Sequence, residues 1–167
     1  MLFLLFNLDG ERYALDAAQI VEVLALQPTR PVPGAPAWVA GVAERYGEPL
    51  PVIDVPRLAL GRAARRLLST RLVVVKYRAS EASSETPHLL LGLIVEGATQ
   101  TRRLAREQFA DTGVATPHAR WLGPVANDGQ GFVQWVEVRH MLTDDVKGLL
   151  FPQELPVSHA RAQVSTS

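Results

Sequence analysis

Cysteine is absent from all 167 residues, which removes disulfides, thiolate nucleophiles and cysteine metal sites and suits a reducing compartment such as the cytoplasm. Net charge is absent as well. Seventeen Lys and Arg balance 17 Asp and Glu, so no strong positive field would draw the chain to phosphate backbones, and nucleic acid is not an expected partner. Long apolar runs are also missing. The opening MLFLLFNL ends at an Asp-Gly pair and lacks a basic leader, which is too short for a signal or for membrane insertion.

Catalytic and metal-binding patterns are equally scarce. His88, His118, His140 and His159 are scattered, without the i, i+4 spacing of a metal-binding helix. Asp144-Asp145 follows Thr143 and reads as a capped helix start rather than a calcium loop. Gly129-Gln130-Gly131 lacks the third glycine and the helix of a nucleotide loop, so it reads as hairpin chemistry. The weakest alternative is an enzyme built from His140, Asp144 and Glu137, which share no recognised catalytic geometry. No enzyme, metal site or cofactor is expected.

What is present is a repeat. The stretch PGAPAWVAGVAERYGEPLPVIDVPRL returns in weaker form as RWLGPVANDGQGFVQWVEVRHML. Trp38 pairs with Trp121, Val42 with Val125, Asp54 with Glu137, Val55 with Val138 and Leu58 with Met141, always 83 residues apart. A constant offset marks one supersecondary unit used twice, around residues 38–58 and 121–141. A shared packing role is therefore expected for Trp38 and Trp121.

Asp9-Gly10 between apolar runs predicts a tight hairpin. Asp16 with Gln19 predicts a reciprocally capped helical turn before the strand IVEVL, where Ile20 and Glu22 share one face and Val21 and Val23 the other. Four prolines in residues 28–36 predict an ordered loop. PLPVIDV reads as a strand confined by its prolines to an edge or a beginning, followed by a helical turn that Gly61 ends. The basic connector over residues 62–71 reads as solvated surface, ASEASSETP as an exposed hairpin loop, and Asn127-Asp128-Gly129 as a further hairpin turn. Short strands and frequent Gly and Pro turns predict an all-β fold of small barrels, the repeat implying two. Residues 1–150 would form this single domain and 151–167 a flexible tail.

Two binding readings fit such a chain: docking of proteins at strand edges, or capture of a small ligand in the groove between the lobes, lined by one or more tryptophans. The run from FNLDGERYALDAAQIVEVL through VPGAPAWVAGV, PVIDV and LGLIVEGA to WVEVRHML resembles the CheW family of coupling proteins in bacterial chemosensory arrays. The resemblance implies two five-stranded SH3-like β-barrel subdomains with short helical turns. It also implies a non-enzymatic adaptor that joins methyl-accepting chemoreceptor tips to the regulatory domain of a CheA-type histidine kinase, with self-association in arrays as a further possibility. Ile20 and Glu22 match positions associated with kinase contact. Gly41, Val42, Arg45, Tyr46 and Gly47 match the turn associated with receptor contact and array packing.

The chain departs from the family in two places. Where the family motif reads N-L-R-G, this chain has Glu44-Arg45-Tyr46-Gly47, so a salt bridge made by the usual arginine is either lost or re-routed through Arg45. Pro49 removes a backbone donor where the family has an uninterrupted strand, which would blunt pairing with a partner. Both departures imply a specialised chemosensory pathway, one controlling surface behaviour or a second messenger.

Overall fold

The computed structural model describes residues 1–77, 89–114 and 116–152. The loop expected at ASEASSETP, His88, His159 and nearly all of the expected tail lie outside these residues.

Strands β1 (Leu2–Leu8) and β2 (Glu11–Asp16) form an antiparallel hairpin closed by Asp9 and Gly10, both at positive φ (47° and 85°). That pair of angles belongs to the tight turn whose twist matches the strands. Asp16 caps a 3-10 turn over Ala17–Gln19 by accepting from the Ala18 N–H at 2.9 Å. The reciprocal bond expected from Gln19 does not form; that geometry occurs instead at Gln108, which accepts from the Ala105 N–H at 2.7 Å.

β3 (Ile20–Leu24), β4 (Val39–Arg45), β5 (Glu48–Asp54) and β6 (Arg71–Tyr77) join the first half of the long strand β7 (Leu89–Arg103) in one lobe. The second half of β7 pairs with β1. The second lobe continues through β2, β10 (Phe132–Val136), β9 (Leu122–Asn127) and the short β8 (Phe109–Ala110). Both lobes are built on five principal strands as expected, but neither sheet closes fully. Among the described residues no ladder joins β3 to β4.

The repeat is visible in the strand register. In the β4–β5 hairpin, Val39 faces Ile53, Val42 faces Pro51, Ala43 faces Leu50 and Glu44 faces Pro49. In the β9–β10 hairpin, Leu122 faces Val136, Val125 faces Gln134, Ala126 faces Val133 and Asn127 faces Phe132, every residue shifted by 83. A register shift interrupts both hairpins at the same point. The Asp54 N–H donates to the Trp38 carbonyl at 2.9 Å, and the Glu137 N–H donates to the Trp121 carbonyl at 2.7 Å. β5 pairs in parallel with β7 only from Val52, one residue beyond Pro51, as expected where prolines cannot donate.

Helix α1 (Val55–Leu60) starts under the Asp54 carboxylate, which accepts from the Arg57 N–H at 3.1 Å, and ends at Gly61 with φ 76°. Helix α2 (Asp144–Leu150) starts at Thr143, whose hydroxyl accepts from the Val146 N–H at 3.4 Å. The largest apolar cluster joins the lobes and contains Leu4, Phe6, Ile53, Val73, Tyr77, Val95, Trp121 and Val136, with Trp38 packed against it. Smaller clusters serve each lobe alone. Phe3, Leu5 and Val133 pack with Phe109 and Trp135 in one, and Leu50, Val52, Leu72 and Val74 pack in the other. Trp135 meets Phe3 edge-on at 5.1 Å, so alternation along β10 sends Val133 and Trp135 to the second lobe's core.

Candidate functional site

The open seam between β3 and β4 carries a compact polar cluster near the surface. The turn that joins β4 to β5 has two central residues, Tyr46 at φ 50° and Gly47 at φ 78°. Glycine adopts such angles at little cost, whereas a bulky side chain such as tyrosine rarely does. Tyr46 is nevertheless held there. Its hydroxyl donates to Glu22 Oε1 at 2.7 Å, and its ring lies 4.8 Å beneath the Arg45 guanidinium. Arg45 Nε donates to Glu22 Oε2 at 3.0 Å, and a second guanidinium nitrogen stands 2.9 Å from the same oxygen.

Both carboxylate oxygens of Glu22 are thus engaged, one by each neighbour. Arg45 supplies the charge opposite Glu22, and Tyr46 supplies the remaining donor. The Tyr46 hydroxyl, followed by Arg45's hydrogen bond and charge, holds the Glu22 carboxyl below its ordinary pKa. The bond to Glu22, and its negative charge, push the Tyr46 phenol up. Each shift favours the state that makes the contact, an ionised acceptor and a protonated donor. These three side chains bridge a seam that backbone hydrogen bonds leave open.

Sequence reasoning assigned Ile20 and Glu22 to one contact surface and residues 41–47 to another. The structure joins them: Glu22 belongs physically to the turn. Ile20 is half-buried against the main core, whereas Val21 and Val23 point outward from an edge strand and are 40% and 46% exposed. Exposed β-branched side chains beside an unpaired strand edge are a ready surface for another chain.

Gly41 plays a different part. Its φ is 132°, and a Cβ placed on it would stand 2.1 Å from the Arg30 carbonyl oxygen. Only glycine lets the proline-rich loop approach this closely, so that Arg30 and Val42 can exchange two backbone hydrogen bonds of 2.9 and 2.8 Å. Thr29 adds a third, to the Ala40 carbonyl at 3.0 Å. The loop and turn then enclose a cleft of ≈ 580 Å³ bordered by Pro28, Arg30, Val42, Glu44 and Glu48.

The basic connector is not wholly the solvated surface expected of it. Arg62 lies against Glu96, with bonds of 2.8 and 2.9 Å, and reaches Asp9 at 2.7 Å. Glu96 also accepts from the Arg65 N–H at 2.6 Å, and Asp54 from the Ala64 N–H at 3.0 Å. Two carboxylates that are 8% and 9% exposed require such donors, and the connector supplies them. Arg65 and Arg66 remain exposed. A second pairing missed in the sequence locks the β9–β10 turn: Asp128 takes both prongs of Arg12 at 2.7 and 2.6 Å, with Arg102 at 3.2 Å.

Among the described residues no group of three or more His, Asp or Glu could hold a metal ion. His140 and Asp144 line one cleft, while Glu137 borders others. No helix among the described residues is long and apolar enough to cross a membrane.

The solved structure of the scaffolding protein TtCheW from Thermoanaerobacter tengcongensis shares this fold with a TM-score of 0.71 at 17% identity, over 85% of this chain and 87% of that one. The chemotaxis protein CheW of Treponema pallidum (strain Nichols) is 36% identical over 50 residues, which are 30% of this chain and 29% of that protein's length. The family model for the CheW-like domain matches residues 2–146. With that match across most of its length, two barrel-like lobes and a paired hairpin register, the chain belongs to the CheW-like domain family.

Proposed function

We propose that this chain is a non-enzymatic adaptor of a bacterial chemosensory complex in the cytoplasm, coupling methyl-accepting receptor tips to the regulatory domain of a CheA-type histidine kinase. The observation that carries the reading is the seam itself. It combines exposed apolar side chains, Val21 and Val23, on a strand with one edge unpaired among the described residues, with an adjoining polar cluster, Glu22, Arg45 and Tyr46, on a rigid two-barrel frame. Strand edges supply backbone pairing and apolar anchors, while a partly exposed ion pair supplies register and partner discrimination. The β3 side is assigned to the kinase and the β4–β5 turn to the receptor. Because Arg45 and Tyr46 replace the family arginine, the partners read here differ from those of swimming chemotaxis.

Co-sedimentation with receptor tips and direct titration of the kinase regulatory domain test this assignment separately. Val23→Glu places a charge on an exposed strand face and should weaken kinase binding about tenfold or more without unfolding the protein. Tyr46→Arg should alter receptor co-sedimentation and leave kinase binding in place. If neither substitution changes either interaction, the seam is not the interface and the proposal fails.

A further inference from the structure

We infer that the cleft between the proline-rich loop and the β4–β5 turn takes an extended, basic peptide segment of another protein, which adds to the outer edge of β4 at Glu44. The backbone directs it. Opposite residues of an antiparallel pair alternate between exchanging both hydrogen bonds and exchanging neither. Val42 gives its N–H and carbonyl to Arg30, at 2.8 and 2.9 Å, and faces Pro51 across the hairpin without a donor to meet it. Two residues on, Glu44 faces Pro49, which likewise has no N–H. Alternation therefore turns the Glu44 N–H and carbonyl to the same outer edge as those of Val42. Among the described residues they meet nothing there, because β4 forms a ladder with β5 alone and the bridge to the loop is confined to Arg30 and Val42.

Pro28 explains why the loop stops short. Continuing the bridge by two residues would set Pro28 against Glu44, and proline has no N–H for the Glu44 carbonyl. In the other lobe the same register runs further: Ala110 faces Val125, the counterpart of Val42, and Phe109 faces Ala126 as well. In the first lobe the loop leaves β4 instead, and the space of ≈ 580 Å³ opens between Pro28 on one side and Glu44, Glu48 and Pro49 on the other. A strand edge with one unmet donor and one unmet acceptor beside open space is completed by an extended chain.

The side chains select among extended chains. Glu44 and Glu48 are exposed where the cleft meets the turn, and neither enters an ion pair among the described residues. Arg30 is the one cation among the lining residues; its backbone is held at Val42, away from the turn, and its side chain pairs with neither acid. A segment with Lys or Arg beside the turn therefore meets two carboxylates that the fold leaves available, and its charge sets the register of the added strand. The inference uses no contact of Glu22, Arg45 or Tyr46, so it stands apart from the partner assignment above.

Backbone amide resonances test both parts. In the free protein the Glu44 amide should exchange with solvent far faster than that of Val42; equal protection would overturn the geometry. The probe is acetyl-Val-Lys-Val-Lys-Val-amide, compared with the same peptide carrying Glu for Lys and with one methylated on its backbone nitrogens. The lysine peptide should shift the Glu44 amide saturably and slow its exchange, the acidic peptide should bind about tenfold or more weakly, and the methylated one should not bind. Glu44→Pro removes a donor that bonds nothing within the fold and should abolish binding with an unchanged circular dichroism spectrum and thermal midpoint. Glu48→Lys is the second variant and should weaken the lysine peptide while leaving the fold intact. No saturable shift up to about 10 mM, equal binding of the acidic peptide, wild-type affinity in both variants, or a Glu44 signal that moves on dilution without peptide, which would assign the edge to a second copy of the chain, would each overturn the inference.

Discussion

Gly41→Ala tests whether the glycine beside the turn is a contact residue or a device for close backbone approach. The added methyl would stand 2.1 Å from the Arg30 oxygen, on a backbone at φ 132°. A side chain forced into such a region costs about 1–3 kcal/mol. Relief of the clash separates the loop from β4 and breaks the paired Arg30–Val42 hydrogen bonds, at about 1 kcal/mol each. The expected loss is about 3–5 kcal/mol, a large part of the stability of an ordinary domain. It should appear in urea titrations and as a fall of about 10 °C in the thermal midpoint. Gly47→Ala is the control, because Gly47 has φ 78° but nothing within 4 Å of a built Cβ, and it should cost about 1 kcal/mol from backbone strain alone. Equal losses for the two variants, or a Gly41→Ala protein as stable as the parent, would refute the close-approach argument.

Three further outcomes follow from buried or paired polar groups. Arg12 holds the Asp128 carboxyl down to about 2, from an ordinary 3.8, so the pair contributes about 2 kcal/mol above pH 4. This contribution should disappear as pH falls from about 4 to 2, and Asp128→Asn should lack it at neutral pH, as measured by chemical denaturation across pH. The Tyr77 hydroxyl is buried with no hydrogen-bond partner among the described residues, and burial pushes its pKa up; Tyr77→Phe should be neutral or stabilising by up to about 1 kcal/mol in the same assay, and a marked loss would contradict this. Tyr46→Phe removes the first cause of the low Glu22 pKa, so the Glu22 carboxyl resonance should titrate at higher pH than in the parent; an unchanged titration would show that Arg45 alone sets it.

The features legible in the sequence were those whose causes lie close together in the chain. Asp9-Gly10 specified its turn, Gly61 ended α1, and Trp38 and Trp121 marked hairpins whose registers match at a fixed offset. The fold class followed from such local signals and the repeat. The polar clusters did not, because their members are far apart in sequence: Arg12 meets Asp128 across 116 residues and Arg62 meets Glu96 across 34. Charge counting sees an arginine-rich connector, whereas the buried carboxylates that recruit it, Glu96 for Arg62 and the Arg65 backbone and Asp54 for the Ala64 backbone, become apparent only once β5 and β7 are placed. The same limit separated Glu22 from residues 41–47, which the open seam brings together.

Arg45 and Asp128 occupy equivalent positions in the two copies, since Arg45 faces Glu48 just before the first turn and Asp128 bonds to Gly131 just before the second. Each reaches from its turn to another strand, Arg45 to Glu22 and Asp128 to Arg12, so the same structural position carries an ion pair of opposite polarity in each lobe. Their exposure differs. The Asp128 side chain is 1% exposed and is committed to the fold, while Arg45 and Glu22 are 19% and 25% exposed and remain within reach of a partner. Solvent screens the exposed pair and leaves it little weight in stability. Exchanging its charges, with Glu22→Arg and Arg45→Glu in one protein, should therefore preserve the thermal midpoint but not partner binding. If binding survived the exchange together with the pair, the cluster would act only by holding the seam, and its side chains would not be read directly.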